Sequence, residues 1–337
     1  METRTLRALL DGLIDYAGLF PPAGLSMADA VARYADYRDR PHAWMLGRFV
    51  VPCGRLTELE HAAASFATRE RPWPLATLAG ADLSADLEAL TRFRAAHEGA
   101  GGLGGPRSAN SGRFVVASLD VKIAGAADVE RVSAVLPRDV DLWLEVTPLP
   151  ARGPAPEPDP DLAATLEAIQ RAGHGAKLRT GGVVPELIPS AATVACFLVA
   201  ALRAGVRSKA TAGLHHPVRS RQALTYEADS PRAVMHGFLN VFLAAALGRA
   251  RLAQGASAED VEAALVDLLE EEDPRAFVFT DDEWRWREYR LDRAALTEGR
   301  QAAAVSFGSC SFEEPLTDLA ALGWLDVRAG VTGAAAG

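Results

Sequence analysis

Short apolar runs of strand length alternate with helix-length runs seven or eight times along this chain. The strand-like runs are LIDYAGLFPPA (13–23), AWMLGRFVVP (43–52), WPLATLAG (73–80), RFVVASLDVKIA (113–124) and VDLWLEVTP (140–148), then the two short segments around Lys177 and Lys209. VSFGSCSFEEP (305–315) is the better eighth strand; FVFTDDEWRW (277–286) is its competitor or an excursion. Such alternation predicts a parallel sheet covered by helices. Several runs are apolar on both faces, as buried parallel strands are. Eight units fit an α/β chain closed into a single (β/α)8 barrel over 1–326, with extra C-terminal helices. The competing architecture is a doubly wound open sheet. Polar residues decide between them, because they recur at the C-terminal ends of many different strands. A barrel gathers all those ends around one mouth, whereas an open sheet gathers only those at its switch point.

Between the strands, helices are predicted over Met27–Asp39, Thr57–Arg69, Asp82–His97, Val129–Leu136, Asp161–Ala172, Pro231–Gln254, Ala258–Glu272 and Arg293–Ala303, with a short lead-in helix in 1–12. Thr57 and Glu60 have capping-box spacing. Pro189 and Ser190 suit a helix start and Gly205 its stop, so Ser190–Gly205 reads as a crossover helix. The glycine-rich tract 99–112 and the proline-rich stretch 149–160 read as loops, and the tail 327–337 as disordered.

Net charge is −9 with dispersed basic residues, which argues against a nucleic-acid partner but leaves room for a local basic pocket. Cys53, Cys196 and Cys310 lie far apart with no metal or redox spacing, which reads as a reduced, cytoplasmic chain without a disulfide framework. Asp11 and Asp15 interrupt the first apolar stretch, so no signal peptide is expected. No uncharged apolar run reaches spanning length, so no membrane partner is expected. No GxGxxG follows the first strand, and no cofactor is expected.

The chemistry concentrates in GAKLRTGG, a helix, and GVRSKATAGLHHP. Period-two alternation puts Lys177 with Arg179 on one face of the first strand and Lys209 with Thr211 on one face of the second. Asp120 with Lys122, and Trp143 with Glu145, alternate the same way on neighbouring strands. A lysine inside a barrel strand is unfavourable unless it is paired or used. Lys177 therefore reads either as an imine-forming nucleophile, its pKa lowered by Arg179 and Lys209, or as a structural partner of Glu145 or Asp120. His215 and His216 lie on the turn after the Lys209 strand, one facing in and one out. His236 reads as a core histidine, or with Asn240 as a closure for the mouth. Cys310, between two serines, reads as a thiol nucleophile, part of a backbone anion nest, or a small buried residue. Glu313 and Glu314 suit the start of the following helix. FTDDEWRWREYR reads as an exposed segment or a homo-oligomer contact.

KLRTGG, a helix and KATAGL together resemble strands six and seven of class I aldolases of the deoxyribose-phosphate aldolase type. The resemblance covers about forty residues. It implies that Lys177 forms the imine, that Lys209 tunes it, and that Asp120 is a loose match for the acid/base residue. Arg179 stands where that family has a small polar residue, and His215, His216 and Pro217 replace its glycine-rich phosphate turn. The whole chain also resembles an uncharacterised bacterial protein family carrying DYAGLFPP, AGLHHP, HGFLNVF and SFGSCSFEEP.

Three functions remain open from sequence. One is a lyase of the aldolase kind, with Lys177, Lys209, Asp120, Glu145 and His215 as catalytic residues. Arg179, Lys122, His216, Asp15 and Cys310 then contact a small anionic or carbonyl-bearing metabolite. The second is a metal-assisted hydrolase or isomerase using His215 and His216 with carboxylates. The third is a non-catalytic anion-binding protein.

Overall fold

Asp15 of the first strand stands beside Gly308 of the last, and this pairing closes an eight-stranded parallel barrel. The computed structural model describes residues 2–97, 112–146 and 160–326. The loop readings for 99–112 and 149–160 and the tail reading for 327–337 fall almost wholly outside them. The barrel strands, labelled here in chain order, are β1 (Ile14–Tyr16), β2 (Leu46–Pro52), β3 (Trp73–Leu78), β4 (Phe114–Ile123), β5 (Asp141–Val146), β6 (Gly175–Arg179), β7 (Ser208–Thr211) and β8 (Ala304–Ser309). Around the wall the order is β1-β8-β7-β6-β5-β4-β3-β2, the arrangement of a (β/α)8 barrel.

Alternation along the strands divides the core in two. Outward residues such as Phe49, Trp73, Leu75 and Phe114 pack against helices in the main cluster, where Tyr34 meets the Trp73 ring at 4.8 Å. Inward residues Val50 and Ala76 join Ala17, Phe20 and Leu78 in a small separate cluster inside the barrel. The β2–β3 side of the mouth is thus apolar, and the charges there come from Asp15 of β1 and from β4–β7.

The helix between β6 and β7 runs Ala191–Ala204 and obeys its sequence signals. Ser190 Oγ accepts from the Thr193 amide at 3.1 Å, and Gly205 ends the helix at φ 68°. Within the apolar stretch Pro185–Ala204, this helix buries Val194, Phe197, Leu198 and Ala201.

Two expectations are corrected, and the choice of eighth strand is decided for the preferred segment. Thr57 is not a cap: a 3₁₀ turn at Cys53–Arg55 already leads into the helix Leu56–Ala62, so Thr57 falls inside it. Pro231–Gln254 is not one helix. Arg232–Met235 pairs antiparallel with Ser220–Ala223, and the helix begins at Phe238. The segment 277–286 belongs to a separate three-stranded antiparallel sheet, Val278–Phe279, Glu283–Trp286 and Tyr289–Asp292, so 304–309 supplies β8.

Candidate active site at the barrel mouth

Neighbouring strands place Glu145, Lys177 and Lys209 side by side: Glu145 is registered with Lys177, and Lys177 with Lys209. Below them the Trp143 indole fills the barrel. Gly175 makes that possible, since a Cβ there would come within 2.3 Å of the ring. Lys209 Nζ rests 5.6 Å from the ring centroid, within cation–π range.

The charged side chains form one connected network. Lys177 Nζ lies 3.0 Å from Asp120 Oδ2 and 3.2 Å from Glu145 Oε2. Lys209 Nζ lies 3.3 Å from Asp15 Oδ2 and 3.6 Å from the same Asp120 oxygen. Asp120 Oδ2 therefore bridges two buried ammonium groups, while its Oδ1 is buried without a hydrogen-bond partner among the described residues. Arg179 reaches Glu145 Oε1 at 3.4 Å. Asp15 accepts from the Arg48 amide at 2.8 Å and from the Ser306 hydroxyl at 2.8 Å, with the Arg48 guanidinium 3.6 Å away.

This geometry reverses one expectation. Burial alone would lower the Lys177 pKa, but Asp120 and Glu145 outweigh it and raise the pKa above the ordinary lysine value. The cations Arg179 and Lys209 do not depress it, because each is itself paired with a carboxylate. Lys177 rests as a paired ammonium. Asp15 shows the converse: burial would raise its carboxyl, but Lys209 and Arg48, with the hydrogen bonds from Arg48 and Ser306, hold it below its ordinary value.

These groups line a cavity of about 480 Å³ at the C-terminal ends of the strands. Asp15, Asp120, Lys122, Glu145, Lys177, Arg179 and Lys209 meet there, together with His215 and Cys310. The opposite wall is apolar, built from Ala17, Phe20, Val50 and Leu78. The loops after β6 and β7 are locked backbone to backbone. A Cβ on Gly213, at φ +77°, would come within 2.7 Å of Gly181 Cα. The Thr180 hydroxyl donates to Ala212 O at 2.6 Å.

At the rim His215 Nδ1 meets Glu314 Oε2 at 2.9 Å, and Cys310 Sγ lies 4.0 Å from the same nitrogen. Tyr226 donates to Glu314 at 3.2 Å and stands 3.7 Å from Cys310 Sγ. Burial works against a charged imidazole, but Cys310 and Glu314 push the His215 pKa up to about 9.

The histidine pair splits as expected. His215 lines the mouth, while His216 is held by Asp318 at 2.6 Å and lines a neighbouring crevice instead. His236 does not close the mouth. It is fully buried with Nε2 2.8 Å from Pro189 O, and Asn240 ties Arg219 to Leu268 and Glu271. Glu313 and Glu314 both stand in the first turn of the following helix, Glu313–Ala321, where Glu314 also holds His215 and Glu313 binds Arg40 at 3.0 Å. Among the described residues, no three His, Cys, Asp or Glu side chains converge as a metal-ligand set.

Sequence reasoning missed Arg48, Ser306 and Tyr226. Arg48 left a signal, as the one charge in an otherwise apolar strand. Ser306 left only its place at the head of the SFGSC run, and Tyr226, far from that run in sequence, left none. No family model and no curated protein matches the chain.

Proposed function

We propose that the mouth forms an imine between Lys177 and a small carbonyl compound, and that the protein is a lyase of the aldolase kind. One observation carries this reading: a single Asp120 oxygen lies between two buried lysines of adjacent strands, at the floor of a substrate-sized cavity. Lys177 first passes its proton to Asp120 or Glu145, both in contact with it. The freed Nζ adds to the carbonyl carbon, and the carboxylic acid returns its proton to the carbinolamine hydroxyl, which leaves as water and yields an iminium and a carboxylate. Asp120 Oδ1, without a hydrogen-bond partner among the described residues, accepts the proton of a hydroxyl two carbons from the iminium carbon. The carbon–carbon bond then breaks, its electron pair enters the iminium, and one carbonyl product leaves. The resulting enamine takes a proton at carbon, and water hydrolyses the iminium to release the second product and free Lys177.

The walls suggest the substrate class. Lys122, Lys177, Arg179 and Lys209 face three carboxylates, Asp15, Asp120 and Glu145, and the His215 charge is balanced by Glu314, which leaves one excess positive charge. That suits a monoanion better than a phosphate ester. The apolar wall of Ala17, Phe20, Val50 and Leu78 suits an aliphatic or aromatic tail. We place this activity in the cytoplasm, where Cys53, Cys196 and Cys310 stay free thiols.

The test is borohydride trapping with a pool of small aldehydes, ketones and 2-oxo acids, read by intact and peptide mass spectrometry. The expected result is one adduct on Lys177, absent from Lys177→Ala, with a yield that rises toward alkaline pH as the paired ammonium loses its proton. Adducts confined to surface lysines would refute the imine and leave an anion-binding protein as the reading.

A further inference from the structure

A second cavity, of about 800 Å³, opens at the opposite end of the barrel, where β2, β4 and β5 begin. Four arginines, Arg48, Arg138, Arg171 and Arg207, line it against Asp139 and Asp141. Asp139 is already engaged by both terminal nitrogens of Arg94, at 3.1 and 2.5 Å. Arg207 is 3.5 Å from Asp141, and Arg171 only reaches Glu167 at 4.0 Å. Arg138 makes no salt bridge among the described residues. A basin with this excess of guanidinium groups stands out in a chain of net charge −9.

The basin is separate from the mouth but touches its network. Trp143 forms the partition: Arg207 lies 5.3 Å from its ring centroid and Lys209 lies 5.6 Å from it. Arg48 lines the basin while its guanidinium stands 3.6 Å from Asp15, the partner of Lys209.

We propose that this basin binds a dianionic phosphate group. Guanidinium groups match phosphate oxygens in planar, bidentate fashion. A phosphate monoester carries close to two negative charges near neutral pH, which matches the surplus of two arginines over aspartates. The mouth has a surplus of one and an apolar wall, so it is the poorer phosphate site. A nucleic acid is a poor occupant, because the arginines line a pocket in an acidic protein rather than a stripe. This assignment does not depend on imine chemistry at the mouth.

The test is isothermal titration of the full chain, at low ionic strength and pH 7.5, with phenyl phosphate and separately with inorganic phosphate. One saturable site per chain is expected. Tighter binding of phenyl phosphate identifies an ester as the ligand, and tighter binding of inorganic phosphate identifies the free ion. The double variant Arg138→Gln/Arg171→Gln, both exposed positions, should lose at least about tenfold in affinity. Lys122→Gln/Arg179→Gln should bind as the parent does. Melting curves on each variant establish that the barrel is folded. Absence of saturable heat with either compound, unchanged affinity in the arginine double variant, or loss confined to the mouth double variant would each overturn the assignment.

Discussion

Raising the pH from 6.5 to 9 should destabilise this protein through one residue, His215. Its folded pKa is raised to about 9 from an ordinary 6.5, against the burial that would lower it. For a raised pKa the stabilisation is fully present below the unfolded value and is lost as pH rises through the folded one. The window is therefore about 6.5 to 9, and the shift corresponds to about 3 kcal/mol at 1.36 kcal/mol per unit. Unfolding entropy of about 2.1 cal/mol/K per residue over roughly 300 ordered residues converts this to a fall of about 5 °C in Tm. Calorimetry at closely spaced pH values reads it directly. Cys310 leads the favourable influences on His215, yet its sulfur sits at the limit of hydrogen-bond reach at 4.0 Å. Glu314 at 2.9 Å makes an ordinary strong contact. Glu314→Gln should therefore narrow the window more than Cys310→Ala, and His215→Gln should abolish it. Parallel Tm profiles for parent and His215→Gln across this range would refute the reasoning.

Lys177→Met removes a buried cation but leaves Arg179 beside Glu145 and Lys209 beside Asp120, so denaturant unfolding should show a loss near the low end of the range for such pairs, about 3 kcal/mol. Because the Lys177 pKa is raised, its stabilisation is lost only above about pH 10.5, and that alkaline limb should be missing from the variant. Asp15→Asn should remove part of the acid limb below about pH 4, since a depressed carboxyl loses its contribution as pH falls through the folded value. Gly175→Ala drives a methyl into the Trp143 ring and should destabilise by about 1–3 kcal/mol in the same assay. Ala212→Gly relieves a φ of 62° and should raise stability by about 0.5 kcal/mol after the glycine's entropy is set against it.

The barrel was legible because its signals are local. Ser190 and Gly205 bound their helix as their residue types dictate, and the apolar runs 46–52, 73–78 and 141–146 are strands for the reason that parallel strands are buried on both faces. What misled was local propensity in competition with distant pairing. Arg232–Met235 carries helix-forming residues, but Ser220–Ala223 offers it a ladder, and Gly237 rather than Pro231 precedes the true helix. The run 277–286 does contain strands, yet the polar TDDE segment turns them into a hairpin of their own rather than into the barrel wall.

The inward set Asp120, Glu145, Lys177 and Lys209 was equally legible, since period two fixes which face each side chain takes. The sign of the electrostatics was not, because it depends on which charges touch across tilted strands. Asp120 is registered with Trp143, not with either lysine, yet its carboxylate spans both ammonium groups. Strand tilt in a closed barrel brings together side chains that the register alone keeps apart. Sequence could place two cations beside Lys177 but could not show that Arg179 is taken by Glu145 and Lys209 by Asp15. The two readings of Lys177, nucleophile and ion-pair partner, then cease to be rivals. The carboxylates that hold it as an ammonium are the acceptors that must take its proton before it can attack. A trapping yield at Lys177 that climbs with pH in the parent, and starts at lower pH in Glu145→Gln where one of those carboxylates is neutral, is the joint signature of both roles. A pH-independent yield would separate them again.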